Sequence, residues 1–243
     1  MSPKETAPDL SGDRAQALAM FDVSRETVAR LDRFVELLFA WQSKTNLISR
    51  ATISSLWTRH VADSLQLLQW ADPAPPPPGK HKTEVAGKGG WLDLGSGGGF
   101  PGLVIACALA DVPGTYVHLV ESNMRKAAFL REAVRETKVP AIVHAARIET
   151  MASALPGPID YVTARALAPL PELFELIAPF VKRGAKALLP KGQDLDRELT
   201  EATKIWNIEA DIVPSKTSET GRILILRGLA RRASHPHANR ARS

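Results

Sequence analysis

The run WLDLGSGGGFPG at 91–102 puts a carboxylate, five glycines and a helix start within twelve residues. Trp91, Leu92, Asp93 and Leu94 fit a short buried strand, the glycines turn the chain, and Pro101 suits the first turn of a helix. Glycine lets a ligand approach the backbone closely, and a helix start presents free N–H groups. The pattern predicts a nucleotide-type pocket at the carboxyl end of a strand, where open α/β sheets bind their ligands. Gly97, Gly99 and Gly102 match the G-x-G-x-x-G of dinucleotide sites, which leaves an NAD-dependent oxidoreductase as an alternative. Asp93, two residues before Gly95, would then face an anionic pyrophosphate. A carboxylate there suits a cationic ligand with an amino-acid end. S-adenosylmethionine carries both a sulfonium and an ammonium, and D-x-G-x-G is the methyltransferase form of this turn.

The same ligand orders the neighbouring residues. Gly95 would carry the tight turn beneath the methionine moiety, Gly97 continues that turn, and Phe100 walls the pocket or packs in the core. Asp93 either binds the ligand ammonium or braces the glycine loop. Glu121 ends the next predicted strand, 26 residues after Gly95, where a carboxylate accepts hydrogen bonds from both ribose hydroxyls; Ser122 and Asn123 follow it into the loop. Arg165 follows the fourth predicted strand, where many amine methyltransferases carry an Asn/Asp-Pro-Pro-Tyr box that is absent here. Arg59, His60 and Asp63 lie within about one helical turn, which fits RNA contact or a polar bridge from helix to core equally well. Lys191 ends the fifth predicted strand on the ligand edge, a position for phosphate contact.

Those positions presuppose an alternating chain. Strands are predicted at 91–94, 116–121, 142–146, 159–164 and 185–190, with helices near 101–110, 123–137, 169–182 and 194–204. Segments 208–213 and 223–226 are joined too briefly for a crossover helix and read as a hairpin. The fold class is α/β: a class I, Rossmann-like methyltransferase sheet of seven strands, mostly parallel and ending in an antiparallel hairpin. Before it, a small helical unit occupies 16–71, with Ser24 as an N-cap and Val28, Leu31, Val35, Leu38 and Phe39 as its first apolar stripe. A second helix is predicted over 52–70. Residues 1–15 read as disordered, 72–90 as a Pro/Gly-rich linker, 91–229 as the cofactor-binding domain, and 230–243 as a basic disordered tail.

Composition narrows the setting. Hydrophobic residues at 44% and charged residues at 23% describe an ordinary globular chain. The single cysteine, Cys107, sits in an apolar run, so it reads as a core residue in a reducing compartment, with no Cys-based metal cluster. No apolar run approaches a membrane span and the N-terminus lacks a signal-peptide centre, so a cytoplasmic protein is expected, with no membrane partner. The net charge of +5 comes entirely from Arg227, Arg231, Arg232, Arg240 and Arg242; the preceding residues balance to zero. Such an end suits a polyanion or is merely solvated.

The chain also resembles one family. Trp41 with Asn46, Leu47, Ile48 and Ser49 comes first, then Arg59, His60, Asp63 and Ser64. Next is the 93–102 loop, followed by Thr163, Ala164, Arg165 and Ala166, and last Leu189, Pro190, Lys191 and Gly192. This is the order of motifs in the RsmG (GidB) family, and the resemblance covers roughly residues 23–229. It implies S-adenosylmethionine-dependent methylation of N7 of a guanine in the 530 loop of bacterial 16S rRNA. Ile148 and Glu149 then flank the adenine, and Arg165 lines the cofactor site. Guanine N7 is a free lone pair, so direct in-line attack needs no protein base, and catalysis becomes positioning, with Arg165 holding a cofactor carboxylate or an RNA phosphate. The implied partner is 16S rRNA or the 30S subunit, with no obligate protein partner. A methyltransferase for another RNA or a small molecule is the alternative within the class, and an RNA-binding protein with a vestigial pocket the non-catalytic one. The proline-rich 73–79 stretch and the arginine tail depart from the family pattern without touching a motif.

Overall fold

In a computed structural model of the chain, residues 8–71, 89–155 and 157–233 are described. Seven strands form one sheet in the order β3-β2-β1-β4-β5-β7-β6. They are β1 (Gly90–Leu94), β2 (Tyr116–Val120), β3 (Ala141–His144), β4 (Tyr161–Ala164), β5 (Lys186–Lys191), β6 (Trp206–Pro214) and β7 (Arg222–Arg231). The first five pair in parallel, while β7 lies antiparallel to both β5 and β6, with a bulge at Glu209/Ala210. The predicted class and the closing hairpin are what the sheet has. Because β2 and β3 grow one way from β1 while β4 and β5 grow the other, the crevice opens where β1 and β4 diverge.

Strand residues alternate between two apolar layers. Trp91, Val117, Leu119 and Tyr161 face one core, and Leu92, Leu94, Val120, Val162 and Leu189 face the other. Burial on both faces explains why these strands read as continuous apolar runs. Helices α7 (Leu170–Val181) and α8 (Leu195–Thr203) cover the second face. Helices α4 (Gly102–Ala108) and α5 (Met124–Thr137) cover the first, together with the N-terminal helices. Pro101 lies just outside α4, as its N-cap.

The N-terminal segment has no core of its own. Helix α2 (Arg25–Gln42) starts at Ser24, whose hydroxyl accepts from the Thr27 N–H at 3.1 Å, as its capping signal predicts. Its buried stripe of Leu31, Phe34 and Leu38 enters the sheet's own core, where the Phe34 ring lies 5.1 Å from Phe100 and 6.3 Å from Phe129. The helical unit is therefore one wall of the fold.

Several expectations need correction. A helix, α1 (Ser11–Ala19), begins within the 1–15 stretch expected to be disordered and runs on into the predicted helical unit. Weak amphipathicity hid it, and tertiary bonds hold it: the Asp13 carboxylate accepts from the Trp57 N–H at 2.7 Å and the Thr58 N–H at 3.1 Å, and Arg14 pairs with Asp32 at 2.7 Å. The helix predicted over 52–70 is a broken run: a 3₁₀ turn Arg50–Ser55, a π turn Trp57–Ala62, α3 (Asp63–Leu65) and a 3₁₀ turn Gln66–Trp70. Side-chain bonds take carbonyls within it, Arg59 O from Arg165 and His60 O from the Ser64 hydroxyl, and π turns of this kind gather at functional sites. The basic end is also partly structured. Arg227 pairs with Asp211 and Arg231 with Glu175, both from β7, and Arg232 donates to Thr203 O at 2.6 Å. Arg240, Arg242 and nearly all of the 72–90 linker lie outside the described residues. Two short turns after β3, Ile148–Thr150 and α6 (Met151–Ala154), were not anticipated. Among the described residues no helix is long and apolar enough to cross a membrane.

Candidate active site

Two loops leave the sheet at the crevice, one after β1 and one after β2, and a single carboxylate ties them together. Glu121 accepts from the Gly97 N–H at 2.9 Å through one oxygen and from the Asn123 N–H at 2.7 Å through the other. It is 8% exposed and keeps lone pairs for further donors. Gly95 opens the turn directly after β1, and Gly97 has φ +52. A Cβ on Gly97 would meet nothing nearer than Gly95 O at 3.7 Å, so the loop turns a bare backbone surface to open space. Exposed Ser122 stands beside it, and half-buried Ile148 with exposed Glu149 follows β3 on the same edge. Met124, 65% exposed at the start of α5, is a large bare apolar side chain on this edge that the sequence reading did not single out.

Two of the predicted ligand contacts are spent on the protein. Asp93 is 1% exposed, and its oxygens accept from the Thr163 hydroxyl at 2.8 Å and the Gly102 N–H at 3.1 Å. A Cβ on Gly102 would lie 2.6 Å from that carboxylate, so only glycine lets α4 begin so close. Burial raises the Asp93 pKa, opposed by bonds from Thr163, Ser96 and Gly102. These bonds are what the bracing alternative for Asp93 expects: the carboxylate joins β1, β4 and α4 beneath the loop. Asn123 likewise caps α5, its side-chain oxygen accepting from the Arg125 N–H at 3.0 Å and the Lys126 N–H at 3.2 Å.

A second cluster crosses from β4 to the N-terminal helices. Arg165 donates to Arg59 O at 3.1 Å, pairs with Asp63 at 3.4 Å and meets His60 Nδ1 at 2.6 Å, with its guanidinium 5.3 Å over the Phe100 ring. A guanidinium has no acceptor, so Nδ1 must accept and the His60 proton sits on Nε2, 2.8 Å from the Thr52 hydroxyl. Burial, then Arg165 and Arg59, press the His60 pKa down to about 3. His60 is thus neutral, and its expected RNA contact gives way to the polar-bridge alternative. Burial likewise lowers the pKa of Arg165, offset by Asp63. Phe100 is buried, packing on Phe34 and carrying His60 and Arg165 on its ring. Cys107 is fully buried, and burial pushes its thiol up to about 12.

Beside this cluster lies a cleft of about 660 Å³, walled by the ends of β4 and β5, the β6–β7 turn and the broken helical run. Asp63 and buried Gln66 pin that turn: Thr217 donates to Asp63 at 2.7 Å and the Lys216 N–H to Gln66 at 2.9 Å. Lys191 lines the cleft but is not free for phosphate, since its Nζ reaches Glu198 at 2.7 Å and Ala168 O at 3.2 Å. Arg59 is exposed on the cleft wall. The glycine turn, with a carboxylate at its rim, and the polar cleft, with Arg165 in its lining, both lie at the carboxyl edge of the sheet.

The family model described as GidB, rRNA small subunit methyltransferase G, matches residues 27–225. A Nitrobacter hamburgensis protein named ribosomal RNA small subunit methyltransferase G is 54% identical over 235 residues, covering 96% of this chain and 85% of that one. A protein of the same name from Bradyrhizobium sp. (strain ORS 278) is 50% identical, covering 96% and 100%. One from Rhodopseudomonas palustris (strain BisB18) is 53% identical, covering 90% and 88%.

Proposed function

Given that the chain belongs to the rRNA small subunit methyltransferase G (GidB) family and is an S-adenosylmethionine-dependent methyltransferase, we propose that it methylates N7 of a guanine in the 530 loop of 16S rRNA. Bound S-adenosylmethionine supplies a methyl group on a sulfonium. The residues present fit it: Gly97 offers open backbone beside the Gly95 turn, Glu121 takes the ribose hydroxyls, and Ile148, Glu149 and exposed Met124 take the adenine. Ser122 borders the ribose. Asp93 and Asn123 hold the two loops in place rather than the ligand.

The observation that carries the N7 reading is the state of His60. The imidazole in the cleft is an acceptor already occupied by Arg165, with a pKa of about 3, so it does not remove a proton near neutrality. Guanine N7 needs none removed. With the cofactor bound, the N7 lone pair would take the methyl group as the bond to sulfur breaks, and the positive charge would pass to the base. Rate then comes from alignment. Arg165, locked by His60, Asp63 and the Phe100 ring, is the positioning group between the two sites, and exposed Arg59 takes a phosphate of the RNA. An rRNA substrate puts the work in the cytoplasm, on naked 16S rRNA or the 30S particle.

Incubation with 30S subunits and labelled cofactor, followed by borohydride and aniline, is expected to cut the rRNA at one guanine of the 530 loop. The single-turnover rate is expected to stay flat from about pH 6 to 9, and Arg165→Ala to lower it without giving it a slope. Labelled rRNA that resists cleavage, or a rate rising tenfold per pH unit, would exclude the reading.

A further inference from the structure

The cleft holds two carboxylates, Asp63 and Glu198, and their states differ. Both Asp63 oxygens are taken, one by Thr217 and Gln66, the other by Arg165. In Glu198 a single oxygen does all the bonding: Oε2 accepts from Lys191 Nζ at 2.7 Å and from the Leu170 N–H at 2.8 Å. Its Oε1 has no partner among the described residues, although the side chain is only 18% exposed. Two bonds from different elements fix this carboxylate in place, from the first residue of α7 on one side and the last of β5 on the other. Its spare oxygen is a preorganised acceptor.

The sheet order says what it would meet. The methyl donor belongs at the glycine loop after β1. Arg165 follows β4, the next strand, and Lys191 with Glu198 follows β5, the strand beyond. A guanine lying in the cleft with N7 turned toward β1 has its opposite edge, N1–H and the 2-amino group, turned toward β5. That edge presents only donors, and a fixed carboxylate is its complement. Extruded bases are commonly read through hydrogen bonds to this edge. We infer that Glu198 is a specificity-determining residue that accepts from the N1–H and 2-amino edge of the target guanine, selecting guanine over adenine, which carries an acceptor at N1. Lys191 then acts on the base through Glu198. This inference rests on the guanine-N7 reading above.

The test pairs Glu198→Gln with inosine. The glutamine side-chain oxygen keeps an acceptor for Lys191 and Leu170, while its amide nitrogen turns a donor toward the base. Inosine lacks the 2-amino group and keeps N7. A 16S rRNA joined by splinted ligation carries guanosine or inosine at the methylated position, and kcat/KM is measured for both enzymes on both RNAs. The wild type is expected to prefer guanosine about 10- to 100-fold, the range for one hydrogen bond to a charged group, and Glu198→Gln to lower the guanosine value by a similar factor. In the variant the preference is expected to fall to about twofold or less, a collapse that a purely structural role would not produce. Binding of S-adenosylhomocysteine, titrated separately, is expected to be unchanged. Equal preference for guanosine in both enzymes overturns the inference, and so does a wild type indifferent to inosine. If Glu198→Gln fails to fold, Glu198→Asp, which draws the carboxylate back by one methylene, is read against the same two criteria. A wild type that places no methyl on N7 of the guanosine RNA fails the functional reading itself, and this inference with it.

Discussion

Replacing Glu121 with alanine separates two jobs that the side chain performs at once. In the protein alone it accepts the Gly97 N–H at 2.9 Å and the Asn123 N–H at 2.7 Å, drawing the loops after β1 and β2 together. Bonds to a charged group contribute about 1.5–3 kcal/mol each when desolvated. Asn123 is exposed and water can replace its lost acceptor, whereas Gly97 is half-buried, so the stability cost is set by one bond and comes to about 2 kcal/mol. For a chain of this size that corresponds to a melting temperature lower by about 4–8 °C. Losing the ribose acceptor removes a further 1.5–3 kcal/mol from cofactor affinity, raising Kd roughly 10- to 150-fold. Calorimetric titration with S-adenosylhomocysteine measures the second effect and urea unfolding the first. Asn123→Ala is the control: it uncaps α5 and leaves the Glu121 carboxylate in place, so it is expected to shift stability by about 1 kcal/mol with little change in Kd. A folded Glu121→Ala protein with wild-type affinity would refute the ribose assignment. Equal loss of affinity in both variants would reduce Glu121 to a loop tie.

His60 predicts an acid-sensitive fold. Its pKa is held at about 3 in the folded protein against an ordinary histidine value of 6.5, so its contribution is complete above pH 6.5 and is lost as the pH falls from there toward 3. Between pH 7 and 5.5 this amounts to about 1 kcal/mol, with His118, lowered to about 4 by burial and by His144, acting in the same direction. His60→Gln keeps an acceptor for Arg165 and is expected to lose less stability over that interval in urea unfolding; an unchanged pH dependence would refute the assignment. Asp13→Ala frees the Trp57 and Thr58 N–H groups at the start of the π turn, and is expected to cost about 1–2 kcal/mol, as for a lost helix cap, with cofactor affinity retained. A loss under about 0.3 kcal/mol, the scale of a surface substitution, would show that α1 does not support the turn.

Local signals in this chain were legible wherever the chemistry is local. The glycine turn, the Ser24 cap, the alternation of strand and helix and the short terminal connection each depend on a few adjacent residues, and the sheet has the class and hairpin they predict. Glu121 and Arg165 could be singled out because both sit directly after strands, where parallel topology gathers residues on one edge. What each side chain bonds to was decided only by tertiary structure, because the partners are distant in sequence. Asp93 meets Thr163, 70 residues away, and Arg165 meets His60 across 105. Lys191, a cation for phosphate when read alone, is matched in the fold by Glu198 one turn into the next helix. A sequence gives charges and donors but not which of them are already satisfied. In a buried site that accounting determines which groups remain for the ligand, and it leaves Glu198 with an acceptor to spare.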